Sequence, residues 1–224
     1  MEISDFALIL WIINLIEMLI VAYIFYREYK LHGTRFYIGV ALFYVLFVFA
    51  RLSELIRFYL YPSSFPPYYT LDLNFWLKTT YTMLSYIGLT IIYFVLERYI
   101  FKGTKYFFTI LVPITTVLSI WMTVSVAYYD LIFSFVIPLY LLILFGIICM
   151  YIYLAIKTSG EVRKNSIMII FGILLFELGL VFALPEAQKS IWAAIPTEII
   201  ILLAPIFSII GVLLQIRGFK TSIS

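Results

Sequence analysis

Four acids and three bases interrupt runs of apolar residues along this 224-residue chain: Glu17, Glu54, Glu177 and Glu198, with Arg51, Arg57 and Lys78. A lone charge in hydrocarbon costs about 3 kcal/mol on insertion scales, so such residues are candidates for function. Each must pair, titrate or meet a ligand. Arginine keeps its proton, whereas a buried carboxyl group can take one up. The chemistry open to this set is therefore ion pairing, proton uptake and recognition of a small polar ligand. No nucleophile–base pair, Gly-x-Ser-x-Gly elbow or glycine-rich phosphate loop is visible, so no catalytic residue is expected. One histidine, His32, in a short polar loop, and one cysteine, Cys149, inside a helix, provide no ligand set for a metal and no internal disulfide. No cofactor is expected either.

The elements that must hold these charges are read from hydropathy. Hydrophobic residues make up 65% of the chain and charged ones 12%, against about half and a quarter in soluble domains. The sequence predicts an all-α, polytopic membrane protein: a seven-transmembrane-helix bundle forming one transmembrane domain over residues 1–224. The spans are Asp5–Tyr26, Phe36–Leu60, Leu73–Glu97, Tyr106–Tyr128, Leu131–Leu154, Ser166–Leu184 and Pro196–Ile216. The start Met1-Glu2-Ile3-Ser4-Asp5 lacks the basic region of a signal peptide, so the first helix is expected to remain as a span. Little chain is left for a soluble catalytic or nucleic-acid-binding domain.

Basic residues set the expected orientation. Arg27, Lys30 and Arg35 follow the first helix, Arg98, Lys102 and Lys105 the third, and Lys157, Arg163 and Lys164 the fifth. Arg217 and Lys220 follow the last, while the alternate loops contain only Lys189. Eleven against one predicts an N-terminus outside and a C-terminus in the cytoplasm of a cell membrane. The proline- and aromatic-rich stretch from Tyr61 to Tyr69 is expected at the outer interface, where it could cover a cavity. Pro113, Pro138 and Pro205 fall inside helices and favour wedge-shaped gaps. Gly172 and Gly179, two turns apart, offer a face for close helix packing.

Depth sorts the charges. Glu17 and Glu177 lie near the middle of helices 1 and 6, and Arg51 about one turn beyond the middle of helix 2, so an Arg51 pair with Glu17 or Glu177 is expected. Arg51, Glu54 and Arg57, spaced by three, share a face and form either a self-satisfied stack or the wall of a pocket. Lys78 is expected to snorkel outward, and Glu198, after Pro196, to complement a helix start. Asn14, one turn before Glu17, extends the set. Apart from Glu17 these charges fall in the outer half, which favours a cavity open to the outside.

Helix 7 has no lysine for a retinal Schiff base, which excludes a microbial rhodopsin. Glu97-Arg98-Tyr99 is similar to the acid-Arg-Tyr triplet of G-protein-coupled receptors, but Ala204-Pro205-Ile206 departs from that family's seventh helix. Phe75-Trp76-Leu77-Lys78 with Tyr81, Leu96-Glu97-Arg98-Tyr99 through Lys102-Gly103, and Arg163-Lys164 resemble the seven-helix sensor region of membrane histidine kinases. No kinase domain follows Arg217, so the resemblance implies a sensor that signals through a separate cytoplasmic or membrane partner. The expected ligand-binding or proton-sensing residues are Glu17, Arg51, Glu54 and Glu177, with Asn14, Arg57, Lys78 and Glu198 secondary. The expected partners are the lipid bilayer, a signalling protein and a small ligand or proton, with no nucleic acid. A proton-coupled carrier using the mid-membrane carboxylates, or a structural subunit of a membrane complex, are the alternatives.

Overall fold

The structure is a computed structural model that describes residues 3–61, 72–124, 129–183 and 196–221. Among these residues every regular element is helical. The described residues form seven α-helices: α1 (Ile3–His32), α2 (Arg35–Leu60), α3 (Leu73–Tyr99), α4 (Phe107–Val124), α5 (Tyr129–Lys157), α6 (Gly160–Phe182) and α7 (Thr197–Thr221). A single 3-10 turn, Lys102–Thr104, joins α3 to α4. Six helices are long and apolar enough to cross a membrane, and the exception is α4, whose apolar stretch Phe107–Met122 is shorter. Of the seven expected spans, six are long and apolar enough among the described residues, and the fourth is described as a shorter apolar helix. The Tyr61–Tyr69 stretch beyond Tyr61, Lys189, and the ends expected for helix 4 at Tyr128 and helix 6 at Leu184 lie outside the described residues.

Several helices run past their apolar runs. Helix α1 continues through Arg27 and Lys30 to His32, and α6 begins at Gly160, so that Arg163 and Lys164 are helical. His32 is thus the last residue of a helix rather than part of a loop. Basic residues cover apolar surface with their stems while the charge stays in water, so the helix need not stop where charge begins. Gly33 ends α1 with φ at 67°, a left-handed conformation that favours glycine, and its N–H donates to the Tyr29 carbonyl at 2.8 Å. Asp72 opens α3 by accepting the Phe75 N–H at 3.0 Å.

Exposure is inverted relative to a water-soluble protein. Ile12, Ile16 and Ile20 of α1 are each about half exposed, while Arg51, Glu54 and Arg57 are 5%, 4% and 3% exposed. Apolar side chains outside and charges inside are what a hydrocarbon solvent selects. The molecule is a multi-pass, membrane-type helical protein.

The chain divides into two compact units. The first is Leu19–Ile147, where α2 lies along α3. Gly39 lets α2 approach the Val95 side chain, and Gly88 lets α3 approach Phe43. Phe25 of α1 stacks on Tyr37 and Tyr44 of α2, at 6.3 and 6.5 Å between ring centroids. At the start of α4, the Phe108 ring stacks on Tyr93 at 5.2 Å and closes on Gly146 of α5. The Tyr93 hydroxyl donates to the Ile143 carbonyl. Glu97, 2% exposed, ends α3 and caps α4: its carboxylate accepts the Phe108 N–H at 3.1 Å and the Thr109 N–H at 3.0 Å.

The second unit comprises Met1–Met18 and Ile148–Ser224, and α6 against α7 is its densest contact. Glycines of both helices make it. A Cβ on Gly172 would sit 2.8 Å from the Gly211 carbonyl, one on Gly179 2.5 Å from the Ala204 carbonyl, and one on Gly211 2.7 Å from the Gly172 carbonyl. Gly218 meets Ile169 and the Asn165 carbonyl. The Gly172 and Gly179 face is used as its spacing suggests, and α7 answers with Gly211 and Gly218, also seven residues apart. Backbones touch, so dispersion along the full helix length replaces side-chain interdigitation.

Candidate functional site

The α2–α3 seam gathers three of the candidate charges around one carboxylate. Arg57, one turn after Glu54 on α2, forks onto it: Nε lies 2.8 Å from Oε2 and Nη2 lies 3.1 Å from Oε1. Lys78, from α3, places its ammonium 3.3 Å from Oε1 of the same carboxylate. Lys78 therefore turns toward α2 rather than snorkelling outward as its position near the start of α3 suggested. Arg51 lies within electrostatic reach of Glu54. A buried carboxylate with a bidentate arginine and a second cation is a satisfied arrangement, since one charge alone there would be strongly destabilising.

Rings cover the cations. The Arg57 guanidinium sits 4.5 Å from the Phe58 ring centroid, and the Lys78 ammonium 4.8 Å from that of Tyr81. Ser53 of α2 donates to the Leu77 carbonyl at 2.8 Å, fixing the register that brings Lys78 to Glu54.

Three further polar residues of α3 were not anticipated from the sequence. Asn74, Thr79 and Ser85 are 5%, 7% and 8% exposed. Asn74 Oδ1, Thr79 Oγ1 and Ser85 Oγ have no hydrogen-bond partner among the described residues. Asn74, Lys78 and Ser85, at i, i+4 and i+11, share one face of α3. That polar spacing, inside an otherwise apolar helix, was the available signal.

The other candidates lie in the second unit. Asn14, 1% exposed, donates through Nδ2 to Glu17 Oε2 at 3.1 Å. Asn14 Oδ1 and Glu17 Oε1 are buried without a partner among the described residues. Glu177 lies on α6, two residues before Gly179, and is half-buried. Glu198 is exposed in the first turn of α7, where the Ile199 N–H meets the Pro196 carbonyl at 3.0 Å. An acid there complements the helix dipole.

A separate cavity of about 680 Å³ opens between α4 and α5, lined by Leu118, Trp121, Leu131, Ile132, Phe135 and Pro138 among others. Its walls are apolar, and none of the candidate charges lines it. Among the described residues no three His, Cys, Asp or Glu side chains gather where a metal ion would bind. Cys149 is exposed on α5.

Chemically, the seam can exchange partners. Glu54 can release Lys78 to an incoming anion, and the Asn74 amide oxygen can accept from a polar ligand while the Ser85 hydroxyl can accept or donate. Comparison of the chain with protein-family models, with curated proteins and with solved structures finds no match.

Proposed function

We propose that this chain is a multi-pass cell-membrane sensor, with its N-terminus outside and its C-terminus in the cytoplasm, that signals through a separate partner. One observation carries the reading: a buried Glu54–Arg57–Lys78 cluster shared by two membrane-crossing helices, flanked by buried polar atoms with no protein partner among the described residues. A purely structural ion pair would not need the unpartnered oxygens of Asn74 and Ser85 on the face of α3 that carries Lys78. The sensing residues are Arg51 and Glu54, supported by Arg57 and Lys78, with Glu17 and Glu177 in the second unit. A ligand or proton that draws Lys78 away from Glu54 loosens the α2–α3 seam and shifts the helices between two packings. The resemblance to histidine-kinase sensor regions and the basic flanks support the orientation and the class.

The test is purification from native membranes under gentle solubilisation, with co-purifying proteins identified by mass spectrometry. A stoichiometric kinase, transducer or transcription regulator supports sensing. A stoichiometric membrane complex without signalling domains favours a structural subunit. The sensing reading fails if Arg51→Ala and Glu177→Gln each leave both the response and thermal stability unchanged.

A second reading rests on Glu17, whose Oε1 is buried without a partner among the described residues in the middle of a membrane-length helix. That is the placement a proton-coupled carrier uses. Substrate-dependent pH-gradient dissipation in proteoliposomes, abolished by Glu17→Gln, would establish it over sensing.

A further inference from the structure

At one end of the Leu19–Ile147 unit two turns come together. The ring of Phe36, at the start of α2, packs edge-on against Tyr99, at the end of α3, with 6.3 Å between centroids. The α1–α2 and α3–α4 turns are therefore neighbours, and together they present Arg27, Lys30, Arg35, Arg98, Lys102 and Lys105. All six are exposed. The two acids at this end are already engaged. Glu97 is buried and spent on the first amides of α4, and Glu28 lies 3.3 Å from His32 Nε2. Among the described residues no carboxylate lies within ion-pair distance of any of the six cations. A concentrated positive field results, six exposed cations against the Glu28 carboxylate and the buried Glu97.

Exposed rings lie beneath these charges. Lys30 sits 5.5 Å from the Tyr26 ring centroid and Arg98 5.8 Å from that of Phe94, in both cases the aromatic residue one turn before the cation. Arg98 is also 5.9 Å from Tyr99, and Tyr106 stacks on Phe94 at 5.7 Å. Lys105 and Tyr106 both have positive φ, at 49° and 63°, in the turn that brings Tyr106 under the basic tip. Aromatic rings directly below cations, on helices whose next turns are apolar and exposed, match the boundary between headgroup and hydrocarbon. A soluble acidic protein would meet the charges but would leave these rings unused.

We propose that this ring-lined basic rim docks the phosphate headgroups of anionic phospholipids, with Arg98 at its centre. The cations attract the headgroup charge, and the rings hold the guanidinium and ammonium groups at the phosphate plane instead of letting them extend into water. The same side of the molecule then favours a leaflet rich in anionic lipid.

The experiment is lipid retention by the purified full-length protein, read by native mass spectrometry with phosphatidylglycerol and phosphatidylcholine of identical chains. The unmodified protein should retain the anionic lipid preferentially. The preference should fall at least about fivefold in the triple variant Arg98→Gln/Lys102→Gln/Lys105→Gln. It should also collapse for the unmodified protein in roughly 0.5 M salt, where screening shortens the reach of surface charge, so a variant that misfolds does not decide the matter. Equal retention of the two lipids overturns the proposal, as does a preference the triple variant leaves intact. A preference lost only on neutralising Lys157, Arg163 and Lys164 overturns it too, because the headgroup site would then belong to the other unit. So does binding of an acidic protein by a rim that shows no lipid preference.

Discussion

Lys78 of α3 lies 3.3 Å from the Glu54 carboxylate of α2, although the two are 24 residues apart in sequence. Arg57 already satisfies Glu54 from within its own helix, with contacts of 2.8 and 3.1 Å. The second cation is therefore not needed to neutralise the carboxylate, but it does tie one helix to the next. An interhelical tie that can be given up without stranding Glu54 is what a two-position element requires.

A hierarchy of stability losses follows. Glu54→Ala removes the carboxylate onto which Arg57, 3% exposed, forks and should destabilise by about 3–5 kcal/mol. Lys78→Met should lose about 1 kcal/mol or less, because the Lys78 side chain is 21% exposed and Glu54 retains Arg57. Unfolding in mixed detergent, followed by helical circular dichroism, measures both. Equal losses would mean that Lys78 is as much a part of the internal pair as Arg57.

The α6–α7 contact makes a second prediction. Gly179→Ala would drive a Cβ to 2.5 Å from the Ala204 carbonyl and the Ser208 hydroxyl, and Gly211→Ala to 2.6 Å from the Phe176 amide nitrogen. These neighbours are largely backbone and cannot rotate away. Each substitution should destabilise by about 1–3 kcal/mol. Gly103→Ala, with nothing within 4 Å of the new methyl group, is the control and should be near neutral. The same detergent unfolding series reads all three.

The helix class, the inversion of charge and apolar surface, and the Glu54–Arg57 pair were legible because each depends on composition or local spacing. The Gly172–Gly179 face was legible for the same reason. What escaped depends on which helices pair, and in what register. No local period brings Lys78 to Glu54, and the isolated charge near the start of α3 reads as a snorkelling one. Glu97 looks like an ordinary charge at a helix end, yet it closes on amides eleven and twelve residues later across a turn. Helix ends at Tyr26 and Ser166 follow the loss of hydropathy. The backbone instead continues to His32 and starts at Gly160, since hydrogen bonding does not end where hydrocarbon does.

The buried carboxylate of Glu97 makes the last prediction. It accepts the backbone N–H groups of Phe108 and Thr109, and the Thr109 hydroxyl at 2.5 Å. These are among the orphan donors that every helix start must satisfy. Their partner comes from the preceding helix rather than from a residue at the start of α4 itself. Glu97→Ala leaves two amides in a largely apolar setting without an acceptor and should destabilise by about 1–3 kcal/mol. The damage should be local first. Hydrogen exchange at Phe108 and Thr109 should accelerate strongly, while amides in the middle of α2 keep their protection. Glu97→Gln retains one carbonyl oxygen as an acceptor and should recover part of the protection at one of the two amides. Uniform acceleration across α2, α3 and α4 in Glu97→Ala would instead show that the cap is inseparable from the α2–α3 packing.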